Sequence, residues 1–360
     1  MRILLVGRNA KIGGGSTFRL NIGRGLIARG HEVSVAALGG PMVRRYRDAG
    51  IRYHWVPPWK FCASLLTRVI GQGRIDLVHA SNTTAGDVAL LASQSTGVPF
   101  LVSLHNTITR SEAEHPCLKA AQRILVFDSG AAESAGRFSH EFDTSKILRV
   151  PRPVLHAPRE EQGEEEGLSP LDVAYVARLS SRKGKVCLSL VEAFRDFARA
   201  NPGASLSILG DGSMTSEVTR AASTVSTETG ARITVHGQVL EPSSILRKTG
   251  IVVGAGYAAL EAVMEGRAVI GAGFKGFGLL TAENVIDSVE CNFGDTVGKW
   301  EMTAPNFLEA LTMLRAGWDD PVARSQYWGL DRILAPIHSI DAVAARLEAI
   351  YAELLGPARG

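Results

Sequence analysis

Apolar residues along the chain follow two alternating patterns: short apolar runs, and longer stretches whose apolar residues recur on one side of a helix. Residues 2–7 are typical of a buried strand, and residues 16–29 are typical of an amphipathic helix. The alternation continues with strands predicted at 32–38, 76–80, 99–105 and 123–127 and helices at 41–49, 63–72, 84–95, 111–121 and 129–139. This order predicts right-handed βαβ crossovers and a mostly parallel sheet.

A second series of the same kind follows an interruption at residues 151–170, which contain four prolines and an acidic run typical of a solvated linker. The second series has strands predicted at 172–176, 205–209, 232–236, 251–254 and 268–271 and helices at 186–200, 213–227, 242–248 and 258–265. We therefore predict an α/β protein with two doubly wound, Rossmann-like domains at 1–156 and 171–337, joined by a linker at 157–170. The last segment, 338–360, contains an amphipathic helix long enough to return to the first domain.

Composition agrees with this division and limits the function. A chain of 360 residues exceeds the roughly 250–300 residues at which a single core stops growing, so two domains are expected. Thirty-eight glycines against 15 prolines suit the tight strand-to-helix turns of an α/β fold. The formal net charge is only +3, which argues against a dedicated nucleic-acid binder. Binding of an anion must therefore depend on a few local cations.

The four cysteines are widely separated and form no Cys-x-x-Cys pair, which disfavours a zinc cluster and a disulfide scaffold. We therefore expect a reducing, cytoplasmic location. The N-terminal apolar run is shorter than a secretory signal needs, and no later stretch reaches about 18 consecutive apolar residues. A soluble chain, or one that contacts the inner face of a membrane peripherally, is expected.

Two loops that follow predicted strands have the composition of anion sites. Gly13, Gly14 and Gly15 precede a predicted helix, where glycines let a phosphate approach the first amides, although a flexible corner explains the same pattern. Residues 177–185 lie between a strand and a helix and carry four cations within eight positions, either an anion site or an exposed basic turn. These cations are Arg178, Arg182, Lys183 and Lys185.

Other motifs are excluded by their context. A literal Gly-x-Gly-x-x-Gly occurs at Gly271, Gly273 and Gly276, but the residues after it are predicted to form a further loop, whereas a dinucleotide-binding motif opens a helix. No Asp-x-Asp sequence occurs, which disfavours nucleotide-sugar enzymes that hold a metal through such carboxylates.

Four motifs occur in order within about a hundred residues: Ala-Arg-Leu with Lys-Gly at 177–184, Gly-Asp-Gly at 210–212, Val-His-Gly at 235–237 and Leu-Glu-Ala-Val-Met-Glu-Gly-Arg-Ala-Val-Ile at 260–270. In spacing and type they resemble the donor half of family-4 retaining glycosyltransferases of the GT-B fold. The resemblance extends more weakly to the glycine loop and to the Leu-His-Asn sequence at 104–106.

The resemblance implies a retaining glycosyltransferase that moves a sugar from a nucleotide-diphosphate donor, a UDP- or GDP-sugar, to an acceptor hydroxyl. Domain 1–156 is then the acceptor side and domain 171–337 binds the donor. Arg178 and Lys183 are implied to hold the diphosphate and stabilise the departing phosphate without a metal. No cofactor beyond the donor is expected. Glu261 is implied to accept hydrogen bonds from both ribose hydroxyls.

The remaining implied site residues are glycines and one histidine. Gly14 and Gly15 would complete the phosphate cradle, and His105 would lie beside the reacting sugar. A lone histidine at a strand end is otherwise a common structural hydrogen-bonding group. The other glycines assigned to donor binding are Gly210, Gly212, Gly237, Gly254 and Gly256.

The chain departs from the family pattern at the donor sugar. Many members carry a second glutamate eight positions before the ribose-binding one, and here that position is Val253. Two alternatives therefore stay open: a catalytically silent GT-B module that binds a nucleotide sugar or a partner subunit, and a nucleotide-sugar epimerase.

The acceptor is poorly marked in the sequence. Residues 42–68 interleave arginines and a lysine with tyrosines, tryptophans and a phenylalanine. Such a stretch suits contact with an anionic membrane or a lipid-linked acceptor, and equally suits ordinary surface elements of a Rossmann-like domain. A glycan, a lipid-linked sugar or a small molecule all remain as acceptors; nucleic acid is not expected.

Overall fold

The computed structural model describes residues 1–156 and 168–356. These residues form two compact units. Unit 1 comprises the described residues of Met1–Leu155 and Ile337–Gly360, and unit 2 comprises those of His156–Pro336. The acidic run of the predicted linker lies outside the described residues.

Unit 1 is built on a seven-stranded parallel sheet with the order β3-β2-β1-β4-β5-β6-β7. Its strands are β1 (Arg2–Asn9), β2 (Glu32–Leu38), β3 (Arg52–Trp55), β4 (Leu77–Ala80), β5 (Phe100–Leu104), β6 (Ile124–Val126) and β7 (Ile147–Arg149). The apolar run that begins the chain is the central strand, and its Ile3, Leu4 and Leu5 are fully buried. The order of the strands reverses between β1 and β4, and ligands of open α/β sheets bind at the carboxyl ends of the strands beside such a reversal.

Helices cover both faces of this sheet. They are α1 (Gly14–Ala28), α2 (Met42–Asp48), α3 (Ala63–Gly73), α4 (Thr83–Thr96), α5 (Arg110–Ala113), α6 (Pro116–Ala120) and α7 (Ser129–Gly136). The single helix predicted at 111–121 was wrong, because the segment forms two short helices. Pro116 has no N–H to continue α5 and instead occupies the first turn of α6. The short strands β3 and β7 were not predicted.

Unit 2 contains a six-stranded sheet with the order β10-β9-β8-β11-β12-β13, parallel except for the edge strand β13. Its strands are β8 (Asp172–Val176), β9 (Ser205–Leu209), β10 (Arg232–Gly237), β11 (Ile251–Gly254), β12 (Ala268–Gly271) and β13 (Gly278–Leu279). The prediction of two doubly wound α/β units is therefore confirmed. The chain after Gly271 leads to β13 rather than to a helix, as expected from the context of its Gly-x-Gly-x-x-Gly sequence.

The helices of unit 2 include four that the sequence patterns did not predict, all after residue 280. The helices are α8 (Ser181–Ala200), α9 (Thr215–Thr229), α10 (Ser243–Leu246), α11 (Gly256–Met264), α12 (Val285–Glu290), α13 (Ala304–Gly317), α14 (Pro321–Tyr327) and α15 (Asp331–His338), which ends in unit 1. Helix α8 buries Phe194 and Phe197 in the main apolar cluster of the unit.

The last helix, α16 (Ile340–Leu355), packs on α1 in unit 1, as the sequence predicted. Arg29 at the end of α1 makes ion pairs of 3.2 Å with Asp341 and 2.7 Å with Glu348. On the buried side, the Tyr351 hydroxyl lies 2.7 Å from Nδ1 of His79, at the fourth strand of the sheet. The helix therefore completes the core of unit 1.

Candidate functional site

In unit 2, the motif residues lie at the carboxyl ends of parallel strands. Arg178 follows β8, Gly210 follows β9, Gly237 ends β10, and Gly254 ends β11. Because β8, β9, β10 and β11 are parallel and lie side by side, these loops meet along one edge of the sheet. The structure therefore brings together residues that are up to 76 positions apart in the sequence (254 − 178).

The glycines of this edge allow the backbones of neighbouring loops to touch. A Cβ atom on Gly210 would lie 1.8 Å from the carbonyl oxygen of Ala177, and one on Gly212 would lie 2.3 Å from that of Leu179. The Gly210 amide also donates a 2.7 Å hydrogen bond to the carbonyl of Gly237. Gly210 and Gly212 therefore allow the loop that carries Arg178 to pack closely against their backbone.

Helix α8 begins at Ser181, five residues earlier than the start predicted at 186. The prediction that this basic segment is a loop was therefore wrong in part, because Arg182, Lys183 and Lys185 lie in the first turns of the helix. Apolar residues recur at helical spacing only from Val186 onward, so the sequence pattern did not reveal where the helix begins. Ser180 caps the helix, with its hydroxyl accepting from the Lys183 amide at 3.5 Å.

The start of α8 has a charge distribution that opposes the helix dipole. Helix N-termini favour acidic side chains, but the first turn of α8 contains none and carries cations instead. Arg178, just before the helix, is exposed, and its guanidinium makes no hydrogen bond or ion pair with any described residue. Repulsion between these cations and the dipole is relieved when an anion binds, and the free amides of the first turn point toward such an anion. This arrangement has the cations and the free amides that an anion site requires.

Lys183 is paired with a carboxylate that the sequence analysis did not identify. Its Nζ lies 2.9 Å from Oδ1 of Asp295 and 4.6 Å from the centre of the Phe274 ring. The Lys183 and Asp295 side chains are 16% and 18% exposed, so the pair is largely shielded from water while still reachable from the surface. Asp295 also accepts a 3.1 Å hydrogen bond from the Phe274 amide. The carboxylate therefore fixes the position of the ammonium group.

The turn that carries Asp295 is strained and was not identified from the sequence. Asn292 and Phe293 have φ values of 54° and 57°, a left-handed conformation that costs non-glycine residues on the order of 1–3 kcal/mol each. Asn292 is 6% exposed, and its Oδ1 has no hydrogen-bond partner within the described residues. A Cβ atom on Gly256 would lie 3.7 Å from this oxygen. Lys183, Asp295, Asn292 and Gly256 thus form one cluster at the edge of the sheet.

Helix α11 and the strand before it place the other donor residues. Gly256 has a φ of 61° and is the first residue of α11. Glu261 lies about one and a half turns further on and is half-buried. Val253 is fully buried in β11 and belongs to the main apolar cluster of unit 2. Its side chain is thus in the core, and the position does not supply the carboxylate that many family members place at the donor sugar.

In unit 1, the glycine loop begins α1 directly: the helix starts at Gly14, two residues earlier than predicted. The first amides of a helix lack intrahelical acceptors, so those of Gly14 and Gly15 are available to a ligand. Arg19 lies beneath this loop and is 3% exposed. Its Nη2 donates to the carbonyl of Asn9 at 2.6 Å and lies 3.0 Å from the Ser16 hydroxyl.

Arg19 was missed by the sequence analysis, because an arginine within an amphipathic helix gives no signal of its own. Its guanidinium is pressed against β1, where a Cβ atom on Gly7 would lie 2.2 Å from Nη1. No described carboxylate forms an ion pair with Arg19, and its Nε has no hydrogen-bond partner among the described residues. A buried cation without a carboxylate gives this end of the sheet a permanent positive potential.

His105 directly follows β5 and is enclosed by aromatic rings. It stacks on Phe127 at 4.7 Å and meets the edge of Phe18 at 4.8 Å, while its Nε2 lies 3.4 Å from the Ser103 hydroxyl. Burial, and then the positive charges of Arg152 and Arg19, hold the pKa of His105 well below its usual value. His105 is therefore a neutral hydrogen-bonding group near pH 7. Gly14, Gly15, Arg19 and His105 belong to unit 1, whereas the other predicted site residues belong to unit 2.

The basic and aromatic stretch at 42–68 forms α2, β3, a short 3-10 turn at Lys60–Cys62 and the first half of α3. Trp55, Trp59 and Phe61 are exposed, whereas Tyr46 is fully buried. No helix of the described residues is long and apolar enough to cross a membrane. Within the same residues, no group of three or more His, Cys, Asp or Glu side chains is arranged to hold a metal ion.

The chain is similar to known glycosyltransferases both in sequence and in structure. A family model described as a glycosyl transferase 4-like domain matches residues 13–202, more than half of the 360. A glycosyltransferase from Rickettsia africae is 16% identical with a TM-score of 0.70, and 99% of each chain is covered. HepE from Anabaena, solved with UDP-glucose, is 13% identical with a TM-score of 0.70, covering 98% of this chain and 100% of that chain. Sucrose-phosphate synthase from Thermosynechococcus elongatus is 16% identical with a TM-score of 0.66, covering 98% and 99%. No curated protein matches the sequence significantly.

Proposed function

Because the chain belongs to the glycosyl transferase 4-like family and is a glycosyltransferase with the GT-B fold, we propose that it transfers a sugar from a nucleotide-diphosphate donor to an acceptor hydroxyl. The proposed reaction retains the anomeric configuration and requires no metal ion. The donor is a UDP- or GDP-sugar; the first of these is supported by HepE, which has been solved with UDP-glucose.

The observation that carries the proposal is the cationic start of α8. Arg178, Lys183 and the free amides of the first turn provide fixed positive charge at the carboxyl end of β8. A diphosphate gains negative charge as it leaves the sugar, so preorganised cations stabilise the transition state more than the ground state. The same cations perform the role for which other enzymes recruit a divalent metal.

The remaining residues bind and orient the donor in this proposal. The carboxylate of Glu261 accepts hydrogen bonds from the two ribose hydroxyls, which two oxygens on one carbon can do in parallel. The amides of Gly14 and Gly15, with Arg19 beneath them, contribute positive potential from unit 1. Neutral His105 hydrogen-bonds a hydroxyl of the transferred sugar. The acceptor attacks from the face that the phosphate leaves, and a departing phosphate oxygen takes its proton.

A donor screen tests the proposal. The full chain is incubated with UDP, GDP and their common sugars, and both the melting temperature and the release of nucleoside diphosphate are measured, with and without a chelator. We expect stabilisation by one nucleotide series and release that survives chelation. Stabilisation without any release, with or without added sugar acceptors, would instead indicate a catalytically silent module. Conversion of the donor to an isomeric nucleotide sugar without acceptor would indicate an epimerase.

A further inference from the structure

Unit 1 contains a second cluster of polar side chains that the donor site does not use. It lines a shallow hollow of about 260 Å³ between the 3-10 turn at 60–62, the start of α4 and the segment that carries α5 and α6. Its polar lining residues are Lys60, Thr84, Asp87, Ser111, Glu114 and His115. The volume suits one small ligand rather than an extended one.

Asp87 is the centre of this cluster. Its side chain is 4% exposed, with Oδ2 lying 2.9 Å from Nδ1 of His115 and 3.3 Å from Nζ of Lys60. Oδ1 accepts a 3.2 Å hydrogen bond from the Cys117 amide. Burial alone would raise the pKa of Asp87, but the hydrogen bonds from His115 and Cys117 outweigh it and lower the pKa. The carboxylate is therefore ionised and holds both partners in place.

The second nitrogen of His115 is left for a ligand. When Nδ1 donates to a carboxylate, the neutral imidazole presents Nε2 as a hydrogen-bond acceptor. The His115 side chain is 29% exposed and lines the hollow. Lys60 supplies donors, while Glu114 supplies acceptors and Ser111 both. The hollow thus offers both donors and acceptors, which suits hydroxyl groups because each of them donates and accepts.

The net charge of the hollow argues against an anionic ligand. Lys60 is paired with Asp87, and Glu114 is paired with Arg110 at 3.4 Å, so a phosphate would meet no unpaired lysine or arginine among the lining residues. Two exposed aromatic residues, Trp59 and Phe61, flank Lys60 in the sequence. Their rings stack at 5.5 Å with an interplanar angle of 21°, and they are 49% and 81% exposed. A broad aromatic surface beside a polar hollow offers packing for the apolar face of a sugar ring.

The hollow also lies at the edge of the sheet where the reaction is proposed to occur. Helix α4 follows β4, and the segment with α5 and α6 follows His105 at the end of β5. Since these strands are parallel, the hollow, the glycine loop and His105 share the carboxyl edge of one sheet.

We propose that this hollow binds a saccharide ring through hydrogen bonds from its hydroxyls to His115 and Lys60, and that this saccharide is the acceptor of the transfer. The role of the saccharide as acceptor rests on the proposed function, whereas its binding to the hollow does not. The acceptor is then a sugar hydroxyl, and a lipid or a second sugar attached to it lies outside the hollow.

Ligand-observed saturation-transfer NMR on the full chain tests binding without any donor. The probes are methyl glycosides of glucose, galactose, mannose and N-acetylglucosamine at millimolar concentration. At least one is expected to bind, and the His115→Ala and Lys60→Ala variants are expected to weaken it about tenfold, the effect of one lost hydrogen bond of about 1.4 kcal/mol. His140→Ala is the matched control, since the His140 side chain is 64% exposed and does not line the hollow. The Lys60 variant removes an exposed side chain, so it keeps the test valid if the His115 variant does not fold.

Transfer kinetics test the second part. With the bound glycoside as acceptor, His115→Ala should raise KM for the glycoside about tenfold while leaving donor binding, measured by thermal shift, unchanged. Absence of glycoside binding, or binding equal in the wild type and both variants, would overturn the saccharide site. A glycoside KM that does not depend on His115 would overturn its assignment as the acceptor. If neither the wild type nor the variants bind a nucleotide sugar, the proposed function is overturned. The saccharide site, which is tested without a donor, is unaffected by that result.

Discussion

The N-termini of α1 and α8 both provide positive potential for an anion, but they place their cations differently. Each follows the first strand of its unit and presents free amides at the carboxyl edge of a parallel sheet. Helix α1 has no charged residue in its first turn, and Arg19, in its second turn, is buried beneath glycines. At the start of α8, Arg178 is exposed and is paired with no described residue, whereas Lys183 is largely shielded and is held by Asp295.

The difference indicates a division of labour. A buried arginine contributes a constant potential from beneath the loop, whereas Arg178 and Lys183 can contact the diphosphate itself and stabilise the charge that develops on it. We therefore expect substitutions at α8 to affect catalysis most, and substitutions at α1 to affect it less while changing stability. Four predictions test this comparison.

The largest effect is expected from Lys183→Ala. Loss of one preorganised donor to the departing phosphate should lower kcat by about 10²–10³-fold, or about 2.7–4 kcal/mol. Steady-state release of nucleoside diphosphate measures it. Lys248→Ala, an exposed lysine of the same unit, is the control and should retain wild-type turnover. If the Lys183→Ala enzyme keeps more than half of the wild-type activity, the start of α8 does not stabilise the departing phosphate.

Arg19→Met should lower kcat/KM for the donor by about tenfold, because it removes the buried charge while keeping an apolar side chain of similar length. Arg19→Lys keeps the charge and should recover most of the loss. Urea unfolding of both variants separates this effect from damage to the fold. Equal losses in the two variants would mean that the hydrogen bonds of Arg19 to Asn9 and Ser16 matter, and not its charge.

The pH dependence of stability tests whether the histidines near Arg19 are held neutral. Burial, followed by the charge of Arg19, lowers the pKa of His79 to about 3, against 6.5 for an ordinary histidine. The unfolded chain therefore binds a proton that the folded chain does not, and stability falls as the pH drops below 6.5 toward 3. His79 should contribute about 1.4 kcal/mol per pH unit, and His105, shifted in the same direction, a similar amount.

Urea unfolding of the wild type at pH 6.5, 6.0, 5.5 and 5.0 measures this slope. His79→Asn, which keeps an amide near the Tyr351 hydroxyl, should reduce the slope by about half. His140→Ala should leave it unchanged, since that side chain is exposed. A slope that His79→Asn does not alter would show that His79 titrates normally in the folded chain.

The smallest effect is expected from Asp295→Asn. In the unliganded chain, Asp295 competes with the donor phosphate for Lys183, so its neutral analogue should tighten nucleotide binding about fivefold, close to 1 kcal/mol. Calorimetric titration with the nucleoside diphosphate measures the change. Weaker binding would instead mean that Asp295 serves mainly to position Lys183.

Much of the fold, and part of the candidate site, could be predicted from the sequence. The resemblance to the glycosyltransferase family, which rested on the motifs between 177 and 270, and the α/β fold, which rested on the pattern of apolar residues, are confirmed. The start of α8 was placed too late because charged residues and Gly184 mask its first turn, although the helix continues through them. Arg19, the Lys183–Asp295 pair and the Asp87–His115 pair escaped prediction because their partners meet only through the fold: Lys183 and Asp295 are 112 residues apart. Val253 illustrates the reverse case, since its departure from the motif is explained by burial in β11.

The central claim is that the start of α8 binds the donor diphosphate, and calorimetric titration of the preferred nucleotide sugar tests it most directly. Arg178→Ala removes an exposed, unpaired cation whose loss should not disturb the fold, and Arg220→Ala removes an exposed arginine of α9 in the same unit. The dissociation constant should rise at least tenfold in the first variant, the scale of one lost charge-assisted hydrogen bond of roughly 1.5–3 kcal/mol, and stay at the wild-type value in the second. Equal dissociation constants in all three proteins would contradict the claim.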